Sequence, residues 1–420
     1  MNHHDFVHTE GENFAERRKK QAAARIDDEI SAVLRAFDWH PERRTAFERL
    51  VNTVRSRTDL LRPTSGQGSH GWVAPVFLVN RLRNLASRQR HWIAPCETWQ
   101  PFAGNLRPVF RSLAQHLLAR YPVPGFMDAV WDLPAGPGSF RQQAWYIRFG
   151  QGAAMRDLNL PIALTRRMEH HVRQASDHYT VAQALRYGET RGLGGSERLA
   201  REIIRGRLGQ NTRHPAFWRT VIALFVRQGD LQLQHVNPII DFIDVNKFDG
   251  QEVPTADGSE LRPPLWPHFS IEGRTMASLL RLTETWHADL SNKKDVLKLS
   301  WLSSGIQGYR FLERRGSEQS DLDWTISELL GSDALYAEGR ALHHCVYVYS
   351  KTCKQGETTI WSLRLRVNDQ EKSMATIEVI PRRRSIVQAR AKCNLPVIGR
   401  SREIIHAWAD QEGLTYDVAA

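Results

Sequence analysis

With 420 residues, 41% of them hydrophobic, the chain has apolar content for more than one core, which excludes wholesale disorder. A formal charge of +11 favours polyanionic partners through neutralisation of phosphates and release of counterions. Four cysteines (Cys96, Cys345, Cys353 and Cys393) are too few for a disulfide framework, and no apolar run approaches the roughly 18 residues of a bilayer span; a cytoplasmic protein without membrane insertion is expected.

Residues 1–14 are polar and read as a flexible N-terminus. Residues 15–176 form an N-terminal helical region. Its first helix covers residues 15–37, with Ile26, Ile30, Val33, Leu34 and Phe37 at helical spacing and Arg17-Arg18-Lys19-Lys20 as a basic end. Pro41 suits the first turn of the next helix, which carries Phe47, Leu50 and Val54. A Ser/Gly-rich loop lies between Pro63 and Gly71, and further helices are predicted over residues 73–88, 106–120, 140–150 and 164–176.

Residues 177–268 form a middle helical region and linker. Helices are predicted over 181–189, 196–207, 217–227 and 231–245, with Ser196 as an N-cap. The stripe Phe217, Trp218, Val221, Ile222 and Phe225 has the spacing of core rather than of a stacking platform. Pro254, Pro263, Pro264 and Pro267 mark residues 250–268 as a linker or long loop.

Residues 269–420 change character. Helices are expected from Thr275 through Trp286, over 323–330, as a short piece in 341–349, and over 401–408. Between the last two, residues 358–367, 373–380 and 385–391 read as strands, with Asn368-Asp369 and Pro381-Arg382-Arg383-Arg384 as turns. Such short connections favour antiparallel neighbours. The predicted fold class is α+β: largely helical N-terminal and middle regions, then an α+β domain with a small antiparallel sheet.

The chemistry-bearing residues gather in this last region. A cysteine beside an imidazole can be held as a thiolate nucleophile, so His344 and Cys345 are the candidate centre. Arg364, Glu378, Gln388 and Asn394 are candidate pocket residues, although a buried Cys345 and a cross-strand ion pair explain the same residues structurally. His344, Cys345, Cys353 and Cys393 lack paired C-x-x-C spacing, and no metal or cofactor is predicted. Between residues 351 and 402 twelve Lys/Arg face four Asp/Glu. Arg382, Arg383 and Arg384 at a hairpin tip, with Arg390 and Lys392, are the candidate nucleic-acid contacts. There is no P-loop, no Rossmann fingerprint and no H-E-x-x-H.

The run Glu338-Gly339-Arg340 leading into His344-Cys345-Val346 is followed by Tyr349, Cys353 and Gly356. Ile360-Trp361-Ser362-Leu363-Arg364, Ala375-Thr376-Ile377-Glu378, Gln388 and Asn394-Leu395-Pro396 come next. In order and approximate spacing this last third resembles the PcfJ-like protein family. Upstream, Phe269-Ser270-Ile271-Glu272-Gly273-Arg274-Thr275 and Trp286-His287 also look family-like. Ala391 stands where the family commonly has glycine. The resemblance implies association with plasmids, conjugation or other mobile DNA in bacteria, without a settled activity.

The expected function is therefore a mobile-element accessory or effector protein that binds nucleic acid or a nucleoprotein complex. The alternatives are a His/Cys-centred hydrolase or transferase acting on nucleic acid or a nucleotide, and a protein–protein scaffold.

Overall fold

The fold, given by a computed structural model, describes residues 3–38, 40–65, 72–73, 75–134, 136–229, 232–255, 258–292, 299–314, 320–344 and 346–416. It divides into two units, Met1–Ala184 and Leu185–Ala420. In the first, the main helices are His3–Ala36, Pro41–Arg57, Val76–Ala86, Leu106–Leu118, Pro137–Gly150 and Arg166–Arg173. The first helix thus takes in residues 3–14, expected to be loose. Ile26, Ile30, Val33 and Phe37 are buried as their spacing requires, and Phe37 meets Phe47 edge to face at 6.2 Å. Of the loop expected up to Gly71, residues 66–71 lie outside the described residues.

The second unit begins with helices. Among them are α1 (Glu197–Arg205), α2 (Pro215–Arg227), α3 (Val236–Lys247) and α4 (Met276–Asn292). Trp218, Val221, Ile222 and Phe225 of α2 pack in one core with Ile239, Ile240 and Ile243 of α3 and Leu279 of α4. Ser196 caps α1, its hydroxyl accepting from the Leu199 N–H at 3.1 Å. Ser196→Ala leaves that N–H without its partner, and urea unfolding should show a loss of about 1 kcal/mol. The stretch 250–268 is not wholly linker: Gln251–Thr255 and Gly258–Arg262 pair as a two-stranded hairpin.

A six-stranded sheet follows. Its strands are β1 (Tyr309–Glu313), β2 (Leu322–Glu328), β3 (Thr359–Val367), β4 (Gln370–Ile380), β5 (Ser385–Arg390) and β6 (Thr415–Tyr416), adjacent in sequence order. The pairs from β1 to β5 are antiparallel. The expectation of an antiparallel sheet needs one correction, since β6 pairs parallel to β5. The chain reaches β6 through the helix α6 (Gly399–Glu412), and that crossover returns it in the direction of β5. A second correction concerns residues 323–330, expected to be helical but largely occupied by β2. Leu322, Trp324 and Ile326 are buried in alternation, a period of two that a helix cannot satisfy. The helix α5 (Ser332–Leu342) follows it, ending at a left-handed His343.

The sheet has two unlike faces. Trp361, Leu363, Ala375, Ile377 and Ala389 pack against Ile404, Ile405 and Trp408 of α6, with Trp361 and Trp408 4.8 Å apart. Because side chains alternate, the neighbouring positions Ser362, Thr376, Glu378, Gln388 and Arg390 face the opposite way. Register aligns Ser362 with Thr376 and Thr376 with Arg390, while Glu378 lies opposite Gln388. This second face is polar, and the candidate site is built on it.

Candidate active site

A cleft in the second unit is lined by Gly206, Asn237, Pro238 and Asp241 on the helical side. From the sheet side come His344, Val346, Tyr349, Ile360, Thr376, Glu378, Gln388, Arg390 and Asn394. Four of the six residues expected to form a reactive pocket, His344, Glu378, Gln388 and Asn394, are therefore brought together. Cys345 lies outside the described residues. Arg364 is not on the cleft: its guanidinium bonds Ser362 Oγ at 3.1 Å and Glu371 at 3.0 Å.

Each sheet-side residue has a local reason for its position. Thr376/Arg390 and Glu378/Gln388 are successive rungs of the β4–β5 ladder, and a register shift follows directly at Glu378/Val379. Such a bulge locally bends a strand and re-aims its side chains. His344 sits just past the end of α5, where its N–H bonds the Gly339 carbonyl at 3.1 Å. A Cβ at residue 339 would lie 2.7 Å from the His344 carbonyl oxygen, so this close approach needs glycine. Asn394 follows Cys393, and both adopt positive φ within the tight loop closed by the Ala391 N–H to Leu395 carbonyl bond. Ala391 itself has φ −81, a conformation that does not require glycine.

Behind His344 lies a buried network. Glu338 of α5 accepts from Ser362 at 2.9 Å, Ser373 at 3.0 Å and Thr376 at 3.1 Å. Burial pushes its carboxyl above the ordinary value, opposed by these hydroxyl bonds. Thr376 Oγ also lies 3.1 Å from His344 Nε2. A hydroxyl has one proton, and Thr376 gives it to Glu338. It then accepts from His344, which assigns the proton of the neutral imidazole to Nε2. Thr376→Val deletes that acceptor, so the imidazole ¹⁵N shifts of His344 should move away from the pattern of an Nε2-protonated ring. An unchanged pattern would show that another contact sets the ring.

Two carboxylates face each other's charge across the cleft. Glu378 accepts from Thr358 Oγ at 3.2 Å and from the Tyr349 hydroxyl; burial raises its pKa to about 7, and Asp241 adds to the rise. Burial likewise raises Asp241 to about 7, opposed by the Arg207 guanidinium 3.4 Å away. Arg207 is held by Asp244 at 3.0 Å, Asp249 at 3.3 Å and the Val348 carbonyl at 2.9 Å. A pair of acids titrating near neutrality inside one cleft can exchange protons with a bound molecule at physiological pH.

Asp241, Asn237 and Gly206 were not singled out from sequence. Asn237, Asp241 and Asp244 recur at helical spacing among the apolar residues of α3, and that polar stripe was the available signal.

The basic residues fare differently as a nucleic-acid surface. Arg390 is buried in an ion pair with Glu202, so it belongs to the cleft. Arg384 bonds the Glu412 carbonyl, and Arg366 and Arg400 pair with Glu371 and with Glu313 and Glu403. Arg382 and Lys392 are exposed, while the Arg383 side chain lies outside the described residues. Residues 1–184 hold 25 Lys/Arg against 17 Asp/Glu, and residues 185–420 hold 32 against 29. The surplus expected at the C-terminal end is thus offset there by acids, and most of it belongs to the first unit.

Cys353 is packed with Leu329, Leu335, Val346 and Ile360, and burial pushes its thiol well up, away from a reactive thiolate. Among the described residues, no group of three or more His, Cys, Asp or Glu is placed to hold a metal ion. No described helix is long and apolar enough to cross a membrane.

Residues 312–405 match the PcfJ-like protein family. No curated protein matches the chain, and no solved structure does. The PcfJ-like stretch contains His344, Glu378, Gln388, Arg390 and Asn394, one wall of the cleft. Asn237 and Asp241, on the facing wall, precede it in the chain.

Proposed function

We propose that the second unit is an acid–base enzyme, a hydrolase or transferase, working in the cytoplasm as part of a mobile-element system. The observation that carries this reading is the pair Asp241 and Glu378, brought from separate elements to one cleft and both raised to about 7. Structural carboxylates are ordinarily held low by their partners; a raised pair in a concave site is suited to give and take protons. In this reading Glu378 and Asp241 are the proton-transfer groups. His344, oriented through Thr376, and the amides of Gln388 and Asn394 position the substrate. Attachment to nucleic acid, supported by the positive surplus of residues 1–184, would bring the enzyme to mobile DNA.

The test compares wild type with Glu378→Gln on DNA, RNA, nucleotides and N-acylated amines. Turnover by wild type with a loss of about 10²–10⁴-fold in the variant is expected. A variant that keeps full turnover removes Glu378 from the mechanism and this reading with it.

A further inference from the structure

The polar valences of the cleft are unevenly used, and the imbalance points to a ligand. Asn237 is buried, and its amide nitrogen donates to the Glu202 carbonyl at 3.1 Å and the Glu202 carboxylate at 2.8 Å. Both partners are acceptors, so the amide orientation is fixed by chemistry. Its Oδ1, also buried, has no hydrogen-bond partner. An orphan acceptor of this kind normally carries a cost that a donor would relieve. A Cβ at residue 206 would lie 2.1 Å from that oxygen, so this position on the cleft wall, packed closely against the Asn237 amide, needs glycine.

The charged groups around the cleft show the same bias. Arg390 is neutralised by Glu202, which also pairs with Arg205 at 3.2 Å. Arg207 is surrounded by Asp241, Asp244 and Asp249. Adding Glu378, five carboxylates face three guanidiniums when all are ionised. Of the other titratable neighbours, His344 and Tyr349 add no negative charge near neutrality, and the buried Glu338 carboxyl behind His344 is occupied by the hydroxyls of Ser362, Ser373 and Thr376. An anion would meet guanidiniums already paired with carboxylates, whereas a cation would meet Glu378, held among the described residues only by hydroxyl donors, Asp241, whose guanidinium Arg207 is shared with Asp244 and Asp249, and the Asn237 carbonyl.

We propose that this cleft binds a cationic nitrogen head group, an ammonium or guanidinium, with Asn237 Oδ1, Asp241 and Glu378 as its acceptors. The inference rests on the enzymatic reading of the same cleft and names the charge class of its substrate. Acidification opposes binding by protonating Asp241 and Glu378.

The experiment is calorimetric titration of the full chain at constant ionic strength with methylguanidinium, methylammonium, the neutral isostere N-methylurea, and inorganic phosphate. One of the two cations should bind at least about tenfold more tightly than N-methylurea, and its affinity should rise about tenfold between pH 6 and pH 8 for each carboxylate that must ionise. Preference between methylguanidinium and methylammonium identifies an arginine-like or a lysine-like group, and either supports the proposal. Glu378→Gln should weaken cation binding at pH 8 and flatten its pH dependence, and Gly206→Ala should weaken it by crowding Asn237. Equal affinity for N-methylurea, tighter binding of phosphate that Glu378→Gln alters, or cation binding unchanged in Glu378→Gln would each overturn it. If cations fail to bind while Glu378→Gln still loses turnover, only the ligand class falls. If cations bind and the variant keeps turnover, only the catalytic assignment falls.

Discussion

Glu378→Gln is expected to make the second unit more stable above pH 7 while it suppresses turnover. In the unfolded chain a glutamate titrates near the ordinary value of 4.5, whereas burial places the folded group at about 7. The folded-state value is the higher one, so the associated stability is fully present below about pH 4.5 and is lost as pH rises through 7. Above that point the protein carries a buried charge that glutamine does not. The gain should be on the order of 2–3 kcal/mol at pH 8, vanishing at pH 4, in urea melts of the two proteins. A residue retained for packing alone would be destabilised by substitution and would show no such pH window. Opposite signs in stability and activity are the mark of a group kept for its chemistry. Loss of stability at pH 8 would count against this account of Glu378.

Arg207→Met should have a large effect of the contrary kind. Its guanidinium is the common partner of Asp241, Asp244 and Asp249 and also bonds the Val348 carbonyl. Replacing it leaves three carboxylates crowded in a site with little water, a change expected to cost about 3–5 kcal/mol near pH 8. Without the cation the folded pKa of Asp241, which Arg207 now opposes, rises further. The deficit should therefore shrink as pH falls toward 5.5, where Asp241 takes up a proton. Urea unfolding at the two pH values decides this; an equal deficit at both would show that packing of the Arg207 side chain against Tyr349, 5.5 Å from its ring, matters more than charge.

The two faces of the sheet explain how much of this could be read from residues alone. The apolar half was legible because Trp361, Leu363, Ala375 and Ile377 alternate within their strands, and period two has few other uses. His344, Glu378, Gln388 and Asn394 were legible as reactive types near the ends of short runs, and β4–β5 register brings Glu378 and Gln388 side by side. The opposite wall was legible only as a polar stripe on α3, with nothing to say what it would face. Asp241 precedes Glu378 by well over a hundred residues, and no periodicity reports which distant helix will cover a sheet. The strand Leu322–Glu328 was misread because a short apolar run suits either geometry, and only its burial in alternation separates them. Arg390 was misplaced at a surface because charge tallies along a sequence carry no information about pairing, and its partner Glu202 comes from α1.

The register of β4 against β5 has a further consequence. If β5 slid by one position, Gln388 and Arg390 would turn toward Trp361 and Trp408, while Ala389 would be delivered to the cleft. A guanidinium forced among indoles without Glu202 is far costlier than an exposed one, so the misaligned sheet is strongly disfavoured. The same side chains that equip the cleft therefore act as a proofreading device for strand alignment. Neutralising them for biochemical assays should be done one at a time, because removing several would erase the molecule's means of telling the correct hairpin from its neighbour.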